Sequence, residues 1–463
     1  MTNNFNFTTT DLDPLTAVSS IDGRYSSTAN ILSNYFSEFA LIRNRIMIEI
    51  EYFLELATYG EFGISLNTKN IIELQNIYQN FDLENAKEVK EFEKTTNHDM
   101  KAVEYFVKKK MLELGLTENL EMVHFGLTSE DVNNMAFGMC LRDGLQKVVL
   151  PKIKEIRSSL SNIAKDNSET PFLSLTHGQT ATPTTFGKEI GVFVHRLDRQ
   201  IKTLENIKLE GKFGGATGSW SAHYLALPQF DWITFAEKFV TRIGFEFNPI
   251  TNQIIPGDSS AEIFHNLVRI NNILVDFCRD IWLYIMRGVL SQKKKDGEIG
   301  SSAMPHKINP INFENGEGNL GIANRLLEHL ADDLSKSRMQ RDLTGSTVVR
   351  TQGVPLAHSL IAYTNILKGL ERIEVNTVAM NNELENHWEV LAEGIQSVLR
   401  LINYPNPYEA LKELTRGNTI TKESIHSFIN GLDIDENLRQ RLLELTPQNY
   451  IGLSEKIVKL SQN

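Results

Sequence analysis

The stretch Ser259–Ile285, SSAEIFHNLVRINNILVDFCRDIWLYI, decides the class of fold. Ser259, Ser260, Ala261 and Glu262 read as a capping box that opens a helix. Behind it the apolar residues Phe264, Leu267, Leu274, Phe277, Ile281 and Ile285 return at helical spacing. Asp276, Arg279, Asp280 and, just beyond, Arg287 break the run. A membrane span needs about 20 mostly uncharged residues, so this is a core helix. The same spacing recurs from Ser129 through Val132, Met135, Met139, Leu145, Val148, Val149, Ile153, Ile156, Leu160 and Ile163. Thr128, Ser129, Glu130 and Asp131 start that helix, and Pro151 inside it predicts a kink or joint. Leu320, Ala323, Leu327, Leu330 and Leu334 form a third repeat; Leu356, Leu360, Ile366, Leu370 and Ile373, after Pro355, form a fourth. A helix of about 30 residues is about 45 Å long, so several in one chain predict an all-α fold built on an elongated bundle. No alternation of strands and helices supports a doubly wound sheet.

The 463 residues suggest about three domains. The shorter helical segments at the start and the charged, proline-split segments at the end read as caps. The expected division is 1–117, 118–370 with the bundle, and 371–463. A net charge of −11 argues against nucleic acid or an anionic membrane as partner. Two distant cysteines, Cys140 and Cys278, exclude a disulfide scaffold and a thiolate zinc cage, and suit a reducing compartment. The first ten residues do not read as a signal peptide, and the expected location is the cytoplasm.

Two motifs carry little. Gly316-Glu317-Gly318-Asn319-Leu320-Gly321 spells the dinucleotide fingerprint, but no buried strand precedes it. Gly211–Gly218 is either a loop that wraps an anion with backbone N–H groups or a plain connector. The 11 histidines form no H-x-x-x-H pair, so no metal site is expected.

Three stretches carry chemistry. Gly297–Pro310 is a long polar loop between two helical patterns. Gly297 and Gly300 allow hinging, Ser301 and Ser302 offer an oxygen base or anion donors, and Lys307 and Asn309 can hold a carboxylate or enolate oxygen. Thr176-His177-Gly178-Gln179-Thr180 places a histidine, which titrates near neutrality, among polar groups; an acid–base role and a hydrogen-bonded structural role are both open. Lys336–Arg350 reverses the local sign of charge, and Arg341, Ser346 and Arg350 could clamp a phosphate. Asp22-Gly23-Arg24-Tyr25 is a turn that could add a further anion contact.

Gly300-Ser301-Ser302-Ala303-Met304-Pro305-His306-Lys307-Ile308-Asn309-Pro310 resembles the signature loop of the fumarase/aspartase superfamily. Asn97–Tyr105, Thr128–Asn134, Thr176–Gln179, Arg341–Thr344 and Leu414–Gly417 extend the resemblance over nearly the whole chain, and His306 is similar to the branch that cleaves N-succinyl purine nucleotides. The resemblance implies three helical domains, a homotetramer whose active sites draw loops from three subunits, small purine nucleotide substrates and no cofactor. It assigns Ser301 as general base, His177 as general acid and Glu314 as the carboxylate orienting that acid. Lys307 and Asn309 would hold the succinyl carboxylate. Arg24, Tyr25, Arg341, Ser346 and Arg350 would contact the nucleotide and its phosphate. Asn97, His98, Asp99, Thr128, Ser129, Thr176, Gln253 and Asn315 would complete the substrate contacts. Thr180 stands where the family usually has proline, and Leu175 where a basic residue is frequent.

The implied reaction is β-elimination of fumarate from adenylosuccinate, giving AMP, and from SAICAR, giving AICAR. Other superfamily members act on argininosuccinate, aspartate or malate. Only the purine substrates bring a phosphate for Arg341, Ser346 and Arg350. A non-catalytic helical scaffold is the reading from another class, and the intact Ser301, His177, Glu314, Lys307 and Asn309 speak against it.

Overall fold

The apolar repeats resolve into helices whose ends follow local hydrogen bonding. A computed structural model describes residues 13–293, 304, 307–415 and 420–461. Helix α1 (Glu38–Leu56) begins where the Ser37 hydroxyl accepts the Ala40 N–H at 3.1 Å. Helix α2 (Asp99–Glu113) begins where His98 Nδ1 accepts the Lys101 N–H, also at 3.1 Å. Helix α3 (Ser129–Gly144) begins where the Asp131 carboxylate accepts the Thr128 N–H at 2.9 Å. From α3 the chain runs through a π-helical turn, Leu145–Val149, into α4 (Leu150–Asp166). Pro151 does mark a joint, but the change of pitch lies just before it. Proline in the first turn of α4 has no N–H to give backwards, and the turn ahead of it widens.

Four more helices complete the frame: α5 (Phe186–Asn206), α6 (Asp258–Met286), α7 (Ile311–Leu334) and α8 (Gly353–Leu370). The capping box expected at Ser259 is not formed. Helix α6 starts one residue earlier, and the Ser259 hydroxyl accepts the Glu210 N–H at 3.2 Å. Pro355 sits in the first turn of α8, where its missing N–H has no intrahelical partner to lose. The fingerprint Gly316–Gly321 lies inside α7 and has no strand–turn–helix geometry. A Cβ at Gly316 would come within 3.0 Å of Ile366, so this glycine serves close helix packing.

Packing sorts the chain into two units. The first comprises Met1–Ile153, Gln200–Asn272 and Gly318–Thr364; the second comprises Lys154–Arg199, Ile273–Glu317 and Asn365–Asn463. In the first, Ile42, Ile46 and Phe53 of α1 are buried with Val103 and Phe106 of α2 and Val132 and Ala136 of α3. An aromatic cluster joins Tyr52, Phe213, Phe235 and Phe239 at ring separations of 5.4–6.2 Å. Buried amides among α6, α7 and α8 pair with one another: Tyr363 donates to Asn271, Asn271 to Ser359, and Asn324 to Asn272.

In the second unit an antiparallel hairpin, β1 (Pro171–Thr176) and β2 (Gln179–Thr185), stands on a broad apolar base. Phe172 packs 5.9 Å from Phe186 and 5.2 Å from Tyr284, ring to ring. Leu173 joins a buried cluster of the C-terminal helices that includes Leu384, Trp388, Leu391, Ile395, Leu399, Ile425 and Ile429. The few short strands leave the all-α class intact.

Candidate active site

The hairpin explains how the chain presents His177. Thr176 pairs with Gln179, so His177 and Gly178 form a two-residue turn. Both have positive φ, 55° and 70°, as a type I′ turn requires. Glycine takes that conformation freely, whereas His177 holds it against its side chain. The tip Leu175–Thr180 is exposed while Phe172, Leu173, Thr184 and Thr185 at the base are buried. A shift of register between Leu173 and Leu175 marks a bulge that re-aims the tip. Arg287 locks the base: it donates to the Leu173 carbonyl at 3.1 Å, pairs with Glu383 at 2.7 Å and lies over Phe172. The two departures from the family pattern, Leu175 and Thr180, are cross-strand partners directly below the turn.

Ser301 lies outside the described residues, as do Ser302 and His306. The ends of their loop are well rooted. On one side Leu290–Gln292 pairs with Ile373–Val375. On the other, Ile308 gives its carbonyl to Gln292 Nε2 at 3.0 Å, and Pro310 opens α7. Lys307 is exposed and Asn309 half-buried just ahead of that helix. Glu314 ends its first turn and Asn315 follows. Glu314 accepts the Trp282 indole N–H at 3.2 Å, and no bond between Glu314 and His177 forms within the chain among the described residues.

Several substrate-contact candidates on the first unit gather at two helix starts. Asn97, with φ of 50°, ends the helix Leu83–Thr96, and His98 and Asp99 immediately open α2. Arg350 donates to Asp99 at 3.1 Å and pairs with Glu38 at 3.3 Å. Thr128 and Ser129 open α3, and the next residue, Glu130, pairs with Arg341 at 3.1 Å. Arg341 also donates to the Ser346 hydroxyl at 3.2 Å. Both arginines of the expected clamp are thus held by carboxylates. Arg24 is exposed and Tyr25 half-buried in a turn closed by Gly23 N–H to Ser19 and Tyr25 N–H to Ser20 bonds of 3.0 and 2.9 Å. Lys336–Leu343 is turn and loop, followed by the short helix Thr344–Val348.

Gly211–Gly218 does wrap an anion, and the anion belongs to the protein. The N–H groups of Gly214 and Gly215 donate to Asp131 at 2.9 and 3.0 Å. Lys212 reaches the same carboxylate at 2.9 Å, with both side chains fully buried. This anchor carries Gln253, whose amide donates to the Ala216 carbonyl at 3.0 Å. Sequence reasoning took Asp131 for a helix-start residue only. The one available signal was a lone lysine inside a glycine-rich segment.

Two groups were missed. Buried Arg45 donates from Nη2 to Asp99 at 2.8 Å and from Nε to Asn133 at 2.9 Å. Burial alone would raise the Asp99 pKa, but Arg45, the Met100 N–H and Arg350 together hold it below the usual carboxylate range. His223 is buried among aromatic rings, 4.7 Å from Trp232, with neither ring nitrogen partnered among the described residues. Desolvation lowers its pKa to about 4, and the charge of Asp131 offsets only part of that.

Residues 23–323 match the lyase family, and residues 337–451 match the adenylosuccinate lyase C-terminal family. The fold is similar to that of 3-carboxy-cis,cis-muconate lactonizing enzyme from Pseudomonas putida, with a TM-score of 0.73 and 20% identity over 94% of this chain and 96% of that one. A fumarate lyase from Mesorhizobium aligns with the same TM-score at 17% identity, covering 94% and 97%. Fold and sequence thus place the chain among the helical lyases. Adenylosuccinate lyase of Legionella pneumophila is 47% identical over 97% of this chain and 99% of its own length. The Dictyostelium discoideum and Escherichia coli adenylosuccinate lyases are 46% and 45% identical, each over 96% of this chain and 98% of their own. The chain belongs to the adenylosuccinate lyase family. Among the described residues no helix is long and apolar enough to cross a membrane.

Proposed function

We propose that the chain cleaves adenylosuccinate to AMP and fumarate, and SAICAR to AICAR and fumarate. The observation that carries this is identity of 45–47% to adenylosuccinate lyases along nearly the full length of both partners. Ser301 removes the proton beside the succinyl carboxylate, the electron pair forms the double bond of fumarate, and the C–N bond breaks. His177 gives a proton to the departing nitrogen. Lys307 and Asn309 hold the carboxylate onto which negative charge moves. A serine is a poor base in water, so closure of its loop must exclude solvent before the step.

Glu314 orients His177 across chains in this reading. The exposed turn bearing His177, and the Glu314–Trp282 bond within the chain, support a site shared between subunits. The assembly is a homotetramer in the cytoplasm, and each chain comprises domains 1–117, 118–370 and 371–463. Arg24, Tyr25, Arg341, Ser346 and Arg350 receive the nucleotide, with Asn97, His98, Asp99, Thr128, Ser129, Thr176, Gln253 and Asn315 around it. The test is an ultraviolet assay of purified protein with adenylosuccinate, coupled to fumarate detection. Release of fumarate from adenylosuccinate and not from argininosuccinate is expected; the reverse preference refutes the proposal.

A further inference from the structure

We propose that Arg45 is a positioning residue that sets both arginines of the nucleotide clamp, an inference resting on the reading of Arg341 and Arg350 as phosphate donors. One chain of hydrogen bonds and ion pairs joins the two, and its buried centre is Arg45, whose side chain is 1% exposed. Toward one end, Arg45 Nη2 holds Asp99 Oδ2 at 2.8 Å, and Arg350 Nη2 rests on the same oxygen at 3.1 Å. Toward the other, Arg45 Nε holds Asn133 Oδ1 at 2.9 Å, Asn133 Nδ2 donates to Glu130 Oε1 at 3.3 Å, and Arg341 Nη1 meets that oxygen at 3.1 Å. Arg341 then reaches Ser346.

A guanidinium is the one side chain able to serve both branches. Its planar fork fixes the angle between Nε and Nη2, so orienting Asp99 orients Asn133 as well. Burial supports the same view. Desolvating a cation is costly, and Arg45 Nη1 has no partner among the described residues, so the site tolerates that cost for a geometric return. Lysine would keep the charge and lose the fork.

The test uses the purified oligomer, with AMP binding followed by calorimetry and turnover by steady-state kinetics. Arg45→Met should raise the AMP Kd and the substrate KM about tenfold, as expected for loss of a hydrogen bond to a charged group, while kcat is retained. Arg45→Lys should fall between the two. Inhibition by adenosine, which lacks the phosphate, should change less than twofold in either variant. The double variant Arg45→Lys/Asp99→Asn should bind AMP more weakly than Asp99→Asn alone, because the Asn133 branch to Arg341 still hangs on Arg45, but by less than Arg45→Lys weakens the wild type.

Wild-type AMP affinity in both Arg45 variants overturns the proposal. So does an equal loss for AMP and adenosine, which is the mark of general disorder. Should Arg45→Met not fold, Arg45→Lys decides by the same criteria. A wild-type protein that binds no AMP refutes the clamp reading itself, a result distinct from variants that match a wild type that does bind.

Discussion

Replacing Asp131 by asparagine removes the charge at the centre of the first unit while keeping its size. The Asp131 carboxylate accepts three donors, the N–H groups of Thr128, Gly214 and Gly215, and pairs with the Lys212 ammonium. Asparagine offers one oxygen, and its NH₂ group would face two of those donors. Both side chains of the Asp131–Lys212 pair are fully buried, so the variant leaves a cation without water or counter-charge. Removing one partner of such a pair costs about 3–5 kcal/mol, and the displaced N–H groups cannot add their full cost independently. We expect a loss of about 4 kcal/mol. The assay is urea unfolding at fixed protein concentration, because assembly contributes to apparent stability. Trp220 and Trp232 supply the fluorescence near the lesion. The double variant Asp131→Asn/Lys212→Met should recover much of the loss, since it removes the unpaired buried cation and keeps an oxygen for the backbone N–H groups. A loss below about 1 kcal/mol for the single variant, or a double variant no more stable than it, would refute the reasoning. Substrate KM should rise in Asp131→Asn too, because Gln253 hangs on the Ala216 carbonyl of the loop that Asp131 anchors.

His223 gives a pH effect of definite sign. Its folded pKa is about 4 against an unfolded value near 6.5, so the unfolded chain takes up the proton first. Its contribution is complete above pH 6.5 and is lost as pH falls toward 4, about 3 kcal/mol in all. His223→Leu should flatten Tm against pH in that window; an unchanged slope counts against it. Ser301→Ala should bind substrate normally and turn over orders of magnitude more slowly, and near-normal turnover in uncontaminated protein removes Ser301 from the role. Arg341→Ala should mainly raise KM, while an unchanged KM sinks the phosphate clamp. Mixed oligomers of inactive Ser301 and His177 variants should regain partial activity, and failure in verified hybrids argues against sites shared between chains.

The helical frame was legible because its signal is local: residues three and four apart share a face, and Val132, Leu267 and Leu327 are all fully buried as their spacing required. Motif residues stood out because their chemistry is unusual for a connector. What escaped depended on residues far apart in the chain. Arg45 and Asp99 are separated by 54 positions, and Asp131 and Gly214 by 83. Nothing in either segment says that they meet. Ser259 failed for a related reason: its hydroxyl is drawn to the Glu210 N–H instead of to its own helix. The His177 turn was missed as a turn because His-Gly is not among the usual hairpin dipeptides, and only the Thr176–Gln179 pairing reveals it.

The footing of β1 and β2 has a practical meaning for genetics. Leu173, four residues before His177, is embedded with Trp388, Ile395 and Ile429. A substitution that hollows out those C-terminal helices loosens the ground on which the hairpin stands, and His177, the proposed proton donor, sways with it. Such a lesion would look, in a kinetic assay, like damage to the chemistry itself. Sorting inherited or engineered defects by distance from the reacting bond would therefore mislead here; the sounder measure is whether the altered residue shares a core with Leu173.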